Sequence, residues 1–135
     1  MAALYDSKRY RDNLKGEIDR AALYRTLADT EKQPQLAAVY RRLAAVEQAH
    51  ADSWAKRLRA AGGPVPDVRP SWRSRVLMWA ARRYGADSVL PVVKDLETIG
   101  REEYDQQPES RHTRMPDQER SHARLLSELA RRPRV

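Results

Sequence analysis

The sequence predicts an all-α fold, a four-helix bundle whose second and third helices are joined by a long crossover. Three observations predict it. The composition suits helices, since Ala, Arg and Leu dominate, Gly numbers only 5 and Phe is absent. Apolar residues recur at alternating spacings of three and four over long segments, the period of one helix face. Turn-forming residues punctuate those segments at DTEKQPQ, GGPVPDVRP and DQQPES. At 135 residues the chain suits a single domain, 1–135, around one core, with 62–86 as a connector within it and 131–135 as a basic tail.

The first helix is expected from about Ser7 to Thr30, with Leu14, Glu17, Ala21, Tyr24 and Ala28 facing inward. The second runs from about Pro34, a residue suited to a first helical turn, to Ala61, where Gly62 and Gly63 stop it. Its inward row is Leu36, Tyr40, Leu43, Glu47, His50 and Trp54. GGPVPDVRP then reads as an extended, proline-stiffened stretch, and SWRSRVLMWAARRYG as a short basic amphipathic helix. That helix has two compatible readings. Trp72, Val76 and Trp79 would turn inward and cap one end of the bundle, or Arg and Trp together would lie on an anionic membrane. The third bundle helix is expected to begin with Asp87 as N-cap and to align Leu90, Val93, Glu97, Gly100 and Tyr104. The fourth carries Glu119, His122, Leu126 and Leu129, with Pro116 either kinking or starting it.

Composition excludes several functions. Without cysteine the chain has no disulfide, no thiolate zinc site and no iron–sulfur centre. The formal net charge of +7 would suit nucleic acid, but the excess is local. Between Ala51 and Gly85, Lys56, Arg57, Arg59, Arg69, Arg73, Arg75, Arg82 and Arg83 face only Asp52 and Asp67. No nucleic-acid partner is expected. No segment reaches the roughly 18 uninterrupted apolar residues of a membrane span. MAALYDSKRY lacks a signal-peptide apolar stretch, so residence in the cytoplasm is expected, at the inner face of a membrane if the basic helix binds one.

The inward rows carry the chemistry. Each predicted bundle helix places a Glu where a seam demands an inward side chain, and two of them add His three residues later. Solvated Glu on amphipathic helices is the ordinary alternative. A buried carboxylate must be protonated, paired or bound to a cation, and no Lys or Arg falls on the inward rows, so internal ion pairs are not the expected remedy. Four carboxylates and two neutral imidazoles balance two divalent cations. The expected ligands are Glu17, Glu47, His50, Glu97, Glu119 and His122, the arrangement of dinuclear carboxylate bundles. Oxygen and nitrogen donors without sulfur suit iron, with manganese as the other candidate. Chain geometry agrees. Setting Glu17 beside Glu47 requires a turn near residue 32, and setting Glu97 beside Glu119 requires one near residue 108; DTEKQPQ and DQQPES lie there. Glu109 and His112 also fit Glu-x-x-His but fall at the second turn, beside Pro108, far from the ligand layer. Tyr24 and Tyr104 each follow a ligand Glu by seven residues, two turns along one face, and are candidate neighbours of the centre. GEIDRAALY parallels LETIGREEY, and EQAH parallels ERSH, as an internal duplication would.

The order Glu, Glu-x-x-His, Glu, Glu-x-x-His over almost the whole chain resembles the rubrerythrin-like branch of the ferritin-like superfamily. YRDNLKGEIDRAALYRTLA, VYRRLAAVEQAHADSWAKRLRAAG and YDQQPESRHTRMPDQERSHARLL look like the N-terminal ferritin-like domain fused to vacuolar iron transporter family membrane domains in bacteria. The resemblance implies a ferritin-like four-helix bundle with a long crossover, two iron ions as cofactor, and the six ligands named above. It implies a ferroxidase-type oxidoreductase that binds Fe(II) and oxidises it with O2 or peroxide, in iron storage, detoxification or delivery to a membrane iron-transporter domain. A non-catalytic metal-sensing or metal-delivery module is the alternative. Without cysteine there is no rubredoxin-type electron donor within the chain, so peroxidase turnover would need an outside reductant. Gly100 stands where rubrerythrins carry a further Glu, leaving Glu102 and Glu103 as extra candidates. Pairing into a homodimer is expected, with Tyr10, Leu23 and Tyr40 offering apolar contact.

Overall fold

The computed structural model describes residues 2–95, with side chains from Asp6 onward, together with Arg124, Leu125 and Glu128. Helix α1 spans Ala2–Thr30, α2 Pro34–Ala60 and α3 Trp72–Tyr84, followed by a 3-10 turn at Ala86–Ser88. Residues 90–95 are again helical, as are 124, 125 and 128, and no strand occurs among the described residues. The chain forms two compact units, Met1–Arg83 and Tyr84–Val135.

In the first unit α1 and α2 pack together as an antiparallel hairpin. The link is only residues 31–33, as the spacing of Glu17 and Glu47 demands. Gln33 is extended (φ −85°, ψ 116°), which suits the residue before a proline, and Pro34 opens α2 where an N–H would have no helical partner anyway. The core takes Leu14, Ala21, Tyr24, Leu27 and Ala28 from α1 and Tyr40, Leu43, Trp54 and Leu58 from α2. Ala37, Ala44, Ala51 and Ala55 are buried between these larger residues on α2, and small side chains there let the two backbones approach. Trp54 stacks on Tyr10 across the hairpin, ring centroids 5.7 Å apart. Leu23 and Tyr40 are buried within the single chain, so the expectation that they offer apolar contact to a second copy is corrected.

Gly62 and Gly63 end α2 by a defined mechanism. Gly62, at φ +80°, donates its N–H to Arg59 O, and Gly63 donates to Leu58 O at 3.1 Å. That is a Schellman ending, which needs a left-handed residue and satisfies two of the last carbonyls. The connector then returns to α1, where Ser71 N–H donates to Asp19 Oδ1 at 2.6 Å. Ser71 also caps α3, its Oγ accepting from Ser74 N–H at 3.3 Å.

The orientation of α3 overturns one expectation. Its buried residues are Ser74 and Ala81, whereas Trp72, Val76 and Trp79 lie on the outside. The small residues are the ones the helix buries, and the large ones are left facing water. No helix among the described residues is long and apolar enough to cross a membrane.

In the second unit Gly85 (φ +97°) permits the turn out of α3. Asp87 does not cap a regular helix as expected; it sits within the 3-10 turn, and Ser88 Oγ donates to Gly85 O at 2.7 Å. Ala86, Val89, Leu90 and Val93 are buried. Glu97, Gly100, Glu102, Glu103, Tyr104, the turn at DQQPES, Pro116, Glu119 and His122 lie outside the described residues.

Candidate metal centre

Helical register brings three predicted ligands to one point. Glu17 occupies the inner face of α1 between Leu14 and Ala21, and Glu47 and His50 lie a turn apart on the inner face of α2. The short link between the helices sets residue 17 opposite residue 47. Both carboxylates are 0% exposed and His50 is 5% exposed. His50 Nδ1 lies 3.4 Å from Glu17 Oε1 and 3.8 Å from Glu47 Oε2. One ligand atom from each of the three residues can be chosen so that all lie within 4.8 Å of one another.

Arg20 joins this cluster, and the sequence reading missed it. Its Nη2 lies 3.1 Å from Glu17 Oε1, and its Nε donates to Glu47 Oε2 at 3.2 Å. The guanidinium is largely buried and spans both carboxylates, so the expectation of no internal ion pair is corrected. The inward row Leu14, Glu17, Ala21 passes beside position 20, but a long side chain at i+3 from Glu17 reaches back over the same turn. The signal was present in GEIDR, where Glu17 and Arg20 share the spacing that drew notice to Glu47 and His50.

Burial pushes the Glu17 carboxyl up to about 7; the Arg20 guanidinium opposes that shift, while the Glu47 carboxylate reinforces it. One positive charge thus stands against two facing carboxylates, and Glu17 tends to keep a proton. A cation bound here would displace that proton and share the oxygens with the guanidinium. The donor set of two carboxylates and one imidazole, closely grouped and screened from water, fits iron or manganese. Tyr24 is fully buried, two turns along α1 from Glu17. Of the other expected site residues, Glu97, Tyr104, Glu119 and His122 fall outside the described part of the chain.

Helices alone, with Glu from one and Glu-x-x-His from the next converging in a buried cluster, define a ferritin-like bundle of the carboxylate-rich kind. The rubrerythrin family pattern matches residues 11–130, and the chain belongs to that family. Membership implies iron binding, and Glu17, Glu47 and His50 form a group that could hold a metal ion. No curated protein and no solved structure matches the chain.

Proposed function

We propose that the protein takes up Fe(II) at a dinuclear centre and oxidises it with O2 or peroxide. The observation that carries this reading is the buried grouping of Glu17, Glu47 and His50 on a helical hairpin of a rubrerythrin-family chain. In the proposal Glu97, Glu119 and His122 supply the other half of the ligand set. In the same proposal Tyr24 and Tyr104 are assigned as neighbours of the ligands. Manganese is the alternative occupant.

Hard oxygen donors and net negative charge favour Fe(III) over Fe(II), which is the thermodynamic contribution the carboxylates make to oxidation. Oxidation of two Fe(II) by one peroxide takes up two protons and yields two Fe(III) and two waters. The protein's own part is to bind, to exclude water and to release the Glu17 proton as the cation enters. Delivery to a membrane iron transporter, storage and detoxification are the roles this activity would serve.

A second reading has an observation in its favour. Arg20 gives the carboxylates a resident counter-charge, so a protein that hands its iron on is not left with bare buried anions. That suits a non-catalytic module for metal sensing or delivery.

Anaerobic titration with Fe(II) tests both readings. Binding of about two ions per chain is expected, and Glu47→Gln should abolish it. Retention of binding by that variant would remove Glu47 from the centre. Admission of air then separates the readings, since ultraviolet absorbance growing beyond the bound equivalents is ferroxidase turnover, and binding without growth is delivery.

A further inference from the structure

Helix α3 has two faces of different chemistry. Ser74 and Ala81 are buried and Leu77 and Met78 half-buried, and the start of the helix is tied to α1 by the Ser71–Asp19 hydrogen bond. On the opposite side Trp72, Val76 and Trp79 follow one another at helical spacing and are 64%, 54% and 58% exposed. With Arg75 they line a shallow surface groove. Arginines are frequent in and just before this helix. Arg69, Arg73, Arg75, Arg82 and Arg83 are all exposed, Arg73 stacks over Trp72 at 5.4 Å, and no acidic residue intervenes between Asp67 and Asp87.

We propose that this face of α3 docks on an anionic lipid bilayer, with the helix lying in the plane of the interface. Indole rings are amphipathic and settle at the boundary between headgroups and acyl chains, where neighbouring guanidinium groups meet lipid phosphates. The face is already folded and held, so binding orders no new segment. Charge decides among occupants. A second copy of the same face would set the arginines of this segment against their own copies, and the segment between Asp67 and Asp87 carries no acidic residue to answer them. A nucleic acid would satisfy the arginines through its phosphates but leave the Val76-centred apolar stripe without a counterpart. The inference stands on α3 alone and is independent of the metal reading.

Co-sedimentation of the full chain with vesicles tests it. Binding is expected to vesicles of phosphatidylcholine with phosphatidylserine, not to phosphatidylcholine alone, and to weaken as salt rises. Trp72→Ser with Trp79→Ser should weaken binding tenfold or more. Arg75→Gln with Arg82→Gln should weaken it roughly 25-fold, at about fivefold per arginine. All four side chains are exposed, so helix content and melting temperature should be unchanged; if the tryptophan pair fails to fold, Val76→Asp takes its place. Absence of binding to the anionic vesicles would overturn the proposal, as would full binding by the tryptophan variant. Preference for duplex DNA over vesicles, or lipid-free dimerisation abolished by the tryptophan substitutions, would reassign the surface.

Discussion

Glu17 and Arg20 stand three residues apart on one helix, and between them they set how the hairpin responds to pH and to metal. The Glu17 carboxyl is raised from 4.5 to about 7, chiefly by burial. Between those values the unfolded chain has lost a proton that the folded chain keeps, so metal-free stability from this group falls as pH rises from about 4.5 to about 7. The loss is up to about 3 kcal/mol at 1.36 kcal/mol per unit, and urea midpoints measured across that range should show it, with Glu17→Gln flattening the slope. Metal binding runs the other way. Entry of a cation expels the proton, so Mn(II) affinity should fall as pH drops below about 7, approaching tenfold per unit, as titration calorimetry would record. Arg20→Gln separates the two functions of the guanidinium. Removing the partner of two buried carboxylates should cost the metal-free protein about 3 kcal/mol, while Mn(II) binding tightens because no resident charge competes for the oxygens. Weaker binding in that variant would mean that Arg20 supports the ligand geometry rather than rivals the cation. Glu47 and His50 were legible because their spacing matched a known ligand pattern; Arg20 was passed over because a seam defined by Cα register does not show how far a guanidinium reaches.

At the scale of elements, α1 and α2 were readable because length, period and punctuation agree. Their inward rows are buried as the register required, from Leu14 to Ala28 and from Tyr40 to Trp54, with only Leu36 half-exposed. The glycine pair after α2 was a stop signal, and the structure supplies its mechanism. Gly62→Ala, at φ +80° with open space around it, should cost about 1 kcal/mol through backbone strain alone, a fall in melting temperature of a few degrees. By contrast, Trp54→Ala should cost about 3–5 kcal/mol, because it removes a fully buried ring and its contact with Tyr10 toward the open end of the hairpin. α3 was placed correctly but turned the wrong way. Hydrophobicity alone ranks Trp72, Val76 and Trp79 as inward residues, and nothing in a single sequence says that the buried face of this helix is the one carrying Ser74 and Ala81.

For the whole molecule, all-α class followed from composition and period, and family membership from residues 11–130. The grouping of Glu17, Glu47 and His50 in the first unit was within reach of the sequence because a link of three residues leaves little freedom in how the hairpin closes. Since the proposed cation binds only the folded form, an excess of Mn(II) at a hundred times its dissociation constant should stabilise the protein by about 2.7 kcal/mol. The shift should vanish in Glu47→Gln. The guanidinium lodged between Glu17 and Glu47 has a consequence for the life of the chain. A newly made hairpin can close without waiting for iron, since its acidic interior already has company. Under the proposed reading, scarcity of the element would leave the hairpin closed and ready to receive the ion later.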